Sequence, residues 1–351
     1  MSVALGPVRA AHAFDTARLE DWLATNIADY RGPLSLEQFT GGQSNPTFRL
    51  TTPERHYVLR RKPTGPLLKS AHAVDREYRV MTALRGTGFP VPRTFALCLD
   101  ETVIGSAFYV MDYVEGRLFW DPTLPGLPRA ERAAIYDAMN ATVARLHRID
   151  YAAIGLGDYG RPGNYFARQI DRWTRQYRAS ETAPIAAMDR LIEWLPANLP
   201  PGDETAIVHG DMRLDNMIFH PSAPRVIAVI DWELSTLGHP LGDFAYQLMA
   251  WRLDPETFRG LVGSDLGALG IPDEAAYVAA YGARTGRAGI AHLDYYLAYN
   301  MFRLAAILQG IAKRALDGTA SSADAPATGA RARRVAAAGL QQMERAIAAA
   351  P

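Results

Sequence analysis

The 351-residue chain holds one cysteine, three lysines and no surplus of either charge, and each scarcity closes off a class of explanation. With Cys98 as the only thiol, no disulfide can form within the chain, and a reducing compartment fits. Lying in an apolar stretch between Pro92 and Asp100, Cys98 reads as a small buried hydrophobe. The 37 basic and 37 acidic residues cancel, so no global field draws the molecule to nucleic acid or to an anionic membrane. An anionic ligand would therefore need a local basic cluster. There is no run of 18 apolar residues, and the N-terminus lacks a basic segment leading into an uninterrupted apolar core. A cytoplasmic location with no membrane and no nucleic-acid partner is expected. The string G-x-x-x-x-G-K-[ST] is absent, which excludes a Walker-type phosphate loop. Only Lys62, Lys69 and Lys313 are available wherever a chemistry needs lysine.

What is present is an ordinary soluble composition, 48% hydrophobic and 21% charged, in a chain long enough for two lobes. Leu19, Trp22, Leu23 and Ile27 recur at helical spacing behind Asp15, predicting a capped leading helix over 15–28. Residues 36–61 alternate like strands, interrupted by Gly41-Gly42, and a helix is expected at 71–85. Two further strands fall within 94–114, and Glu115-Gly116 then breaks the pattern. Beyond that point the periodicity is helical, at 129–148, 163–180, 184–195, 241–252, 273–285, 291–316 and 330–349, with a mobile loop expected over 317–329. Strands first and helices afterwards predict an α+β fold with a nucleotide-binding lobe over 1–113 and a helical lobe over 114–351.

The most informative segment is His209-Gly210-Asp211-Met212-Arg213-Leu214-Asp215-Asn216, followed by the apolar run 226–230 and Asp231. An Asp and an Asn on one loop can face a common cavity, the Asp reaching a substrate hydroxyl and the Asn a metal, while a carboxylate at a strand end holds metal between phosphates. This is the acid/base and Mg²⁺ arrangement of a kinase-like phosphotransferase, with Asp211, Asn216 and Asp231 as catalytic residues and Asn216 and Asp231 as metal ligands. ATP and Mg²⁺ are the expected cofactors. His209 and His147 read as braces, and Asp243 as a helix cap. Gly41, Gly42, Gln43, Ser44 and Asn45 suit a turn whose backbone N–H groups approach phosphate without a Cβ in the way.

On these motifs the chain resembles the aminoglycoside-phosphotransferase-like kinases, which share the bilobal protein-kinase fold, and among them the kinase domains that accompany or are fused to acyl-CoA dehydrogenases. The likeness runs through FTGGQSNPTFRL (39–50), YVLRRKP (57–63), DREYRVMTAL (75–84), FYVMDYVEG (108–116), RPGNYFARQIDRWTRQY (161–177) and LGHPLGDFAY (237–246). It implies a small antiparallel-sheet lobe and a larger helical lobe. It also implies that Arg60 takes the part of the usual phosphate-contacting lysine, with Glu77 as its partner, and it offers for Asp243 the alternative of anchoring the catalytic loop's backbone. Strand alternation alone puts Val58, Arg60 and Lys62 on one face, leaving Lys62 as a rival. Adenine is expected against Met111, Asp112, Tyr113 and Val114.

For the acceptor, Arg161, Asn164, Tyr165 and Arg172 combine cationic and aromatic groups suited to an anion, with Arg303 and Glu233 as further candidates. No acidic run of the kind that would hold the ammonium groups of an aminoglycoside appears in the helical half. The family branch implies a small-molecule hydroxyl acceptor, a hydroxylated acyl compound such as a hydroxyacyl-CoA. An aminoglycoside, amino-alcohol or homoserine-type kinase is the alternative enzyme, and a non-catalytic nucleotide-binding scaffold the alternative of another class.

Overall fold

The computed structural model describes residues 4–40, 45–63, 73–319 and 324–349. Its strands are β1 (Leu5–Gly6), β2 (Ser35–Phe39), β3 (Thr47–Thr51), β4 (His56–Arg61), β5 (Thr94–Cys98), β6 (Phe108–Asp112), β7 (Ala206–Val208), β8 (Met217–Phe219), β9 (Val226–Val229) and β10 (Thr236–Gly238). Its helices are α1 (Thr16–Asn26), α2 (Val74–Arg85), α3 (Arg129–His147), α4 (Tyr165–Ser180), α5 (Ala186–Ala197), α6 (Pro240–Arg252), α7 (Pro255–Phe258), α8 (Leu266–Leu269), α9 (Glu274–Thr285), α10 (Leu293–Leu316), α11 (Ala325–Ala330) and α12 (Ala332–Ala348). The described residues fall into two compact units, one from 1–118, 152–156 and 215–235, the other from 119–151, 157–214 and 236–351.

The first unit is built on an antiparallel six-stranded sheet in the order β1-β2-β3-β4-β6-β5. Phe48, Leu50, Tyr57, Leu59, Phe108 and Val110 are buried together with Leu19 and Leu23 of α1, so one sheet face is sealed by the leading helix. That helix starts where Asp15 accepts from the N–H groups of Ala17 and Arg18 at 3.0 and 3.1 Å, as its position before the apolar repeat predicts. The opposite faces of β4 and β6 carry Arg60 and Tyr109, which stand opposite each other in the register. Helix α2 packs there.

A chain-order cut at 113 does not describe the first unit, because the β8–β9 hairpin belongs to it. Arg117 and Phe219 exchange backbone hydrogen bonds of 2.8 and 2.9 Å, and Val229 N–H donates to Pro90 O at 2.8 Å, stitching the hairpin to chain from the sheet region. In the second unit α10 is the central helix, buried along most of its length and packed against α4, α5, α6, α11 and α12. Short β7 and β10 pair antiparallel, with β7 against α3 and α6. The loop expected over 317–329 is corrected in part, since Ala325–Ala330 form α11. Its Ala, Pro and Gly content hides a turn of helix whose Gly329 sits against Ala312, where a Cβ would lie 2.6 Å from the helix backbone.

Candidate active site

In the first unit a buried ion-pair network surrounds Arg60. Its Nε lies 3.0 Å from Glu77 Oε2, and its Nη2 lies 2.5 Å from Asp231 Oδ1 and 3.2 Å from Glu233 Oε2. Glu77 is 1% exposed and also accepts from Asn45 Nδ2 at 2.9 Å and Tyr109 Oη at 3.1 Å. Burial pushes the Glu77 carboxyl above its ordinary value, with Arg60 pulling the other way. Of the rival cations it is Arg60 that pairs with Glu77. Lys62 lies past the end of β4, where its N–H donates to Ala107 O at 2.9 Å. Gly41, Gly42, Gln43 and Ser44 lie outside the described residues.

The β8–β9 register sets Met217 opposite Val229, and Ile230 N–H donates to Asn216 O at 3.0 Å. Asn216 and Asp231 are thereby brought to the same open end of one hairpin. Asp231 sits in the left-handed region (φ 67°, ψ 60°), a conformation that costs an ordinary residue about 1–2 kcal/mol and is tolerated best by Asn and Asp. The backbone is bent at the one carboxylate the motif assigns to metal. One carboxylate and one amide oxygen suit Mg²⁺, which keeps waters and phosphate oxygens in its shell rather than using an all-protein cage.

Next to them Leu118, Ile218 and Ala228 form a buried apolar cluster with Val114, Ile227 and Ile230 against it. Of the expected adenine neighbours, Val114 belongs to this cluster. Met111 and Asp112 end β6, and Asp112 N–H donates to Arg93 O at 2.8 Å. Leu118, Ile218 and Ile230 escaped the sequence reading, because nothing in chain order joins the segment after β6 to the hairpin.

In the second unit Asp211 follows β7 on a loop held from within. Asp243, 3% exposed, accepts from the N–H groups of His209 and Gly210 at 2.8 Å each, and His147 Nε2 lies 3.2 Å from it. Asp243 therefore anchors the loop. Burial alone would raise its carboxyl, but the histidines and the donated N–H bonds prevail and hold it below its ordinary value. His209 is fully buried and accepts from Asp211 N–H at 3.2 Å, the bracing role its place in the motif suggests. Arg213 grips Asp211 through Nε (3.0 Å to Oδ1) and Nη2 (3.2 Å to Oδ2). This clamp was not foreseen, although Arg213 stands only two residues along the loop.

Of the acceptor candidates, Tyr165, Arg172 and Arg303 share one neighbourhood with Asp211 in the second unit. Arg303 is 5% exposed and donates to Gly210 O at 2.5 Å. Arg161 and Asn164 are exposed at the start of α4, where Asn164 N–H donates to Asp203 Oδ2 at 2.8 Å and the Arg161 carbonyl accepts from Arg168. Glu233 belongs to the Arg60 network of the first unit.

A family model described as the phosphotransferase enzyme family matches residues 35–293. The chain belongs to this family. It is accordingly a small-molecule kinase with the kinase-like fold. Among relatives of this phosphotransferase, mouse (Mus musculus) acyl-CoA dehydrogenase family member 10 is 48% identical over 92% of this chain and 30% of its own length. A candidate aminoglycoside phosphotransferase from Ralstonia eutropha JMP134 is 57% identical, with a TM-score of 0.86 over 95% of this chain and 99% of its own. The aminoglycoside phosphotransferase APH(4)-Ia, solved as a thermostable mutant with AMP-PNP and hygromycin B, shares the fold at 16% identity and a TM-score of 0.58, covering 92% of this chain and 98% of its own. The chain spans less than half the length of the curated relatives it matches. Among the described residues no helix is long and apolar enough to cross a membrane.

Proposed function

We propose that this phosphotransferase moves the γ-phosphoryl group of ATP, with Mg²⁺, to a hydroxyl of a hydroxylated acyl compound such as a hydroxyacyl-CoA. The observation that carries the reading is the meeting of Asn216 and Asp231 at one hairpin end, with Arg60 joining Asp231 to Glu77. Arg60 would hold nucleotide phosphate in place of lysine, its wider planar fork able to keep a carboxylate and a phosphate at once. Asn216 and Asp231 would hold the metal, which when bound neutralises charge on the phosphates. Asp211 orients the acceptor hydroxyl and takes its proton as the new O–P bond forms and the bond to the ADP oxygen breaks. Val114, Leu118 and Ile218 offer the apolar cover an adenine needs. The nucleotide analogue bound by APH(4)-Ia and the acyl-CoA dehydrogenase names of the close relatives support nucleotide and acyl chemistry respectively.

A thermal-shift titration with ATP, with and without Mg²⁺, followed by transfer assays on hydroxy acids, their CoA esters and aminoglycosides, tests the reading. Magnesium-dependent stabilisation by ATP and transfer to an acyl acceptor are expected. Magnesium-independent binding with no transfer to any acceptor would instead favour a nucleotide-binding scaffold, the reading that arginine in the lysine position favours.

A further inference from the structure

The surroundings of Asp211 carry more positive charge than its own clamp requires. Beyond Arg213, which the Asp211 carboxylate already engages, two more guanidinium groups lie on one indole ring. The carbon of the Arg172 guanidinium is 5.4 Å from the centre of the Trp173 ring and that of Arg303 is 5.5 Å from it. Like charges held beside a single ring repel, and each stays only where something else repays the repulsion. Arg303 has Gly210 O as a hydrogen-bond acceptor and feels the Asp211 charge. Arg172 has neither: among the described residues no carboxylate pairs with it, and it reaches solvent, where a ligand can meet it.

Tyr165 and Tyr299 adjoin both arginines, with their ring centres 6.5 Å apart. Tyr299 is 1% exposed, and its buried hydroxyl has only the Tyr165 phenol to turn to, with no hydrogen bond of good geometry among the described residues. A buried hydroxyl so poorly satisfied is costly to keep, so it suits an acceptor supplied from outside the chain. Crowding by protein, and then the Arg303 charge, pull the Arg172 guanidinium below its ordinary value, which an arriving anion would reverse.

We infer that Arg172, Arg303, Tyr165 and Tyr299 form an oxyanion subsite beside Asp211, so that the acceptor carries a carboxylate or phosphate group close to the hydroxyl it presents. The inference rests on the reading of Asp211 as the residue that meets the acceptor. Two guanidinium groups that can only donate and two phenols that can donate match an anion, and the two positive charges reject ammonium groups. A neutral ester would leave Arg172 uncompensated.

Direct titration without nucleotide tests the subsite independently of transfer, using 3-hydroxybutyrate, its methyl ester, 3-hydroxybutyryl-CoA and glycerol 3-phosphate as probes on the full chain. The wild-type protein is expected to bind 3-hydroxybutyrate or glycerol 3-phosphate more tightly than the methyl ester. Preference for 3-hydroxybutyrate assigns the subsite to carboxylate and preference for glycerol 3-phosphate assigns it to phosphate, whereas preference for the CoA ester alone, whose phosphates lie a pantetheine arm away from the hydroxyl, would overturn the inference. Arg172→Gln should weaken the preferred probe about tenfold to a hundredfold, the range for a hydrogen bond to a charged group, and Arg172→Lys should restore part of it. Tyr299→Phe, which keeps the ring packing, should weaken the same probe and spare the ester. Equal binding of acid and ester, no binding of any anionic probe, or an Arg172→Gln effect shared by all four would each overturn the inference. Failure of phosphoryl transfer alongside intact, Arg172-dependent anion binding would count against the proposed function and leave the subsite standing.

Discussion

Asp211 shows how little a single side chain's chemistry depends on its type alone. Its carboxylate is gripped by Arg213, its N–H is taken by His209, and the loop behind it is pinned by Asp243. Such a carboxylate is held in one orientation, the main requirement when catalysis is positioning. Asp211→Asn should therefore lower kcat by roughly 10²–10⁴-fold, the span for loss of acid–base catalysis, while ATP affinity stays close to wild type. Near-normal turnover on the true acceptor would remove Asp211 from the chemistry. The role proposed for Asp211 comes from the sequence because His-Gly-Asp followed by Asn is a local pattern. Arg213 was legible only as a neighbour, since whether its fork turns toward Asp211 depends on the loop's conformation.

At the level of elements, β4 and α2 meet through a charge network and the segment after β6 meets the β8–β9 hairpin through a glycine. Glu77→Ala would leave Arg60 short of a carboxylate and Asn45 and Tyr109 without their acceptor. The expected cost is roughly 3–5 kcal/mol, toward the lower end because Asp231 and Glu233 remain. Urea denaturation measures it, and a loss below about 1 kcal/mol would show the network to be dispensable. Gly116 is a second critical contact, because a Cβ there would lie 2.4 Å from both Phe219 O and Ile218 Cγ2. A backbone oxygen cannot rotate aside. Gly116→Ala should cost about 1–3 kcal/mol and weaken ATP binding as the apolar cluster shifts, which denaturation and nucleotide titration would reveal together. The pairing of Arg60 with Glu77 was open to inference from strand alternation, helical spacing and family likeness. The junction at Gly116 was not, for the same glycine reads equally well as a simple strand terminator.

Over the whole molecule, acid sensitivity should trace in part to one buried carboxylate. Asp243 has its titration depressed in the folded state, so its contribution is present above the ordinary Asp value of about 3.9 and fades as pH falls through the lower folded value. Asp243→Asn should accordingly melt below wild type at neutral pH, with the gap in Tm steady down to about pH 5 and closing below about pH 4. A gap that persists unchanged at pH 3 would place the effect in packing rather than in charge. The alternation of residues 36–61, the helical repeats beyond 129 and the catalytic-loop spacing each depend on near neighbours in the chain, and for that reason the sequence by itself determined the α+β class and the family, and nominated Asp211, Asn216 and Asp231 as the residues to test. Contacts between distant segments have no such local signature. Only the tertiary structure decided that the hairpin carrying Asp231 groups with the sheet, that Glu233 pairs with Arg60, and that Arg172 and Arg303 share one indole, because each depends on how separate elements pack and which charges that packing leaves to be balanced.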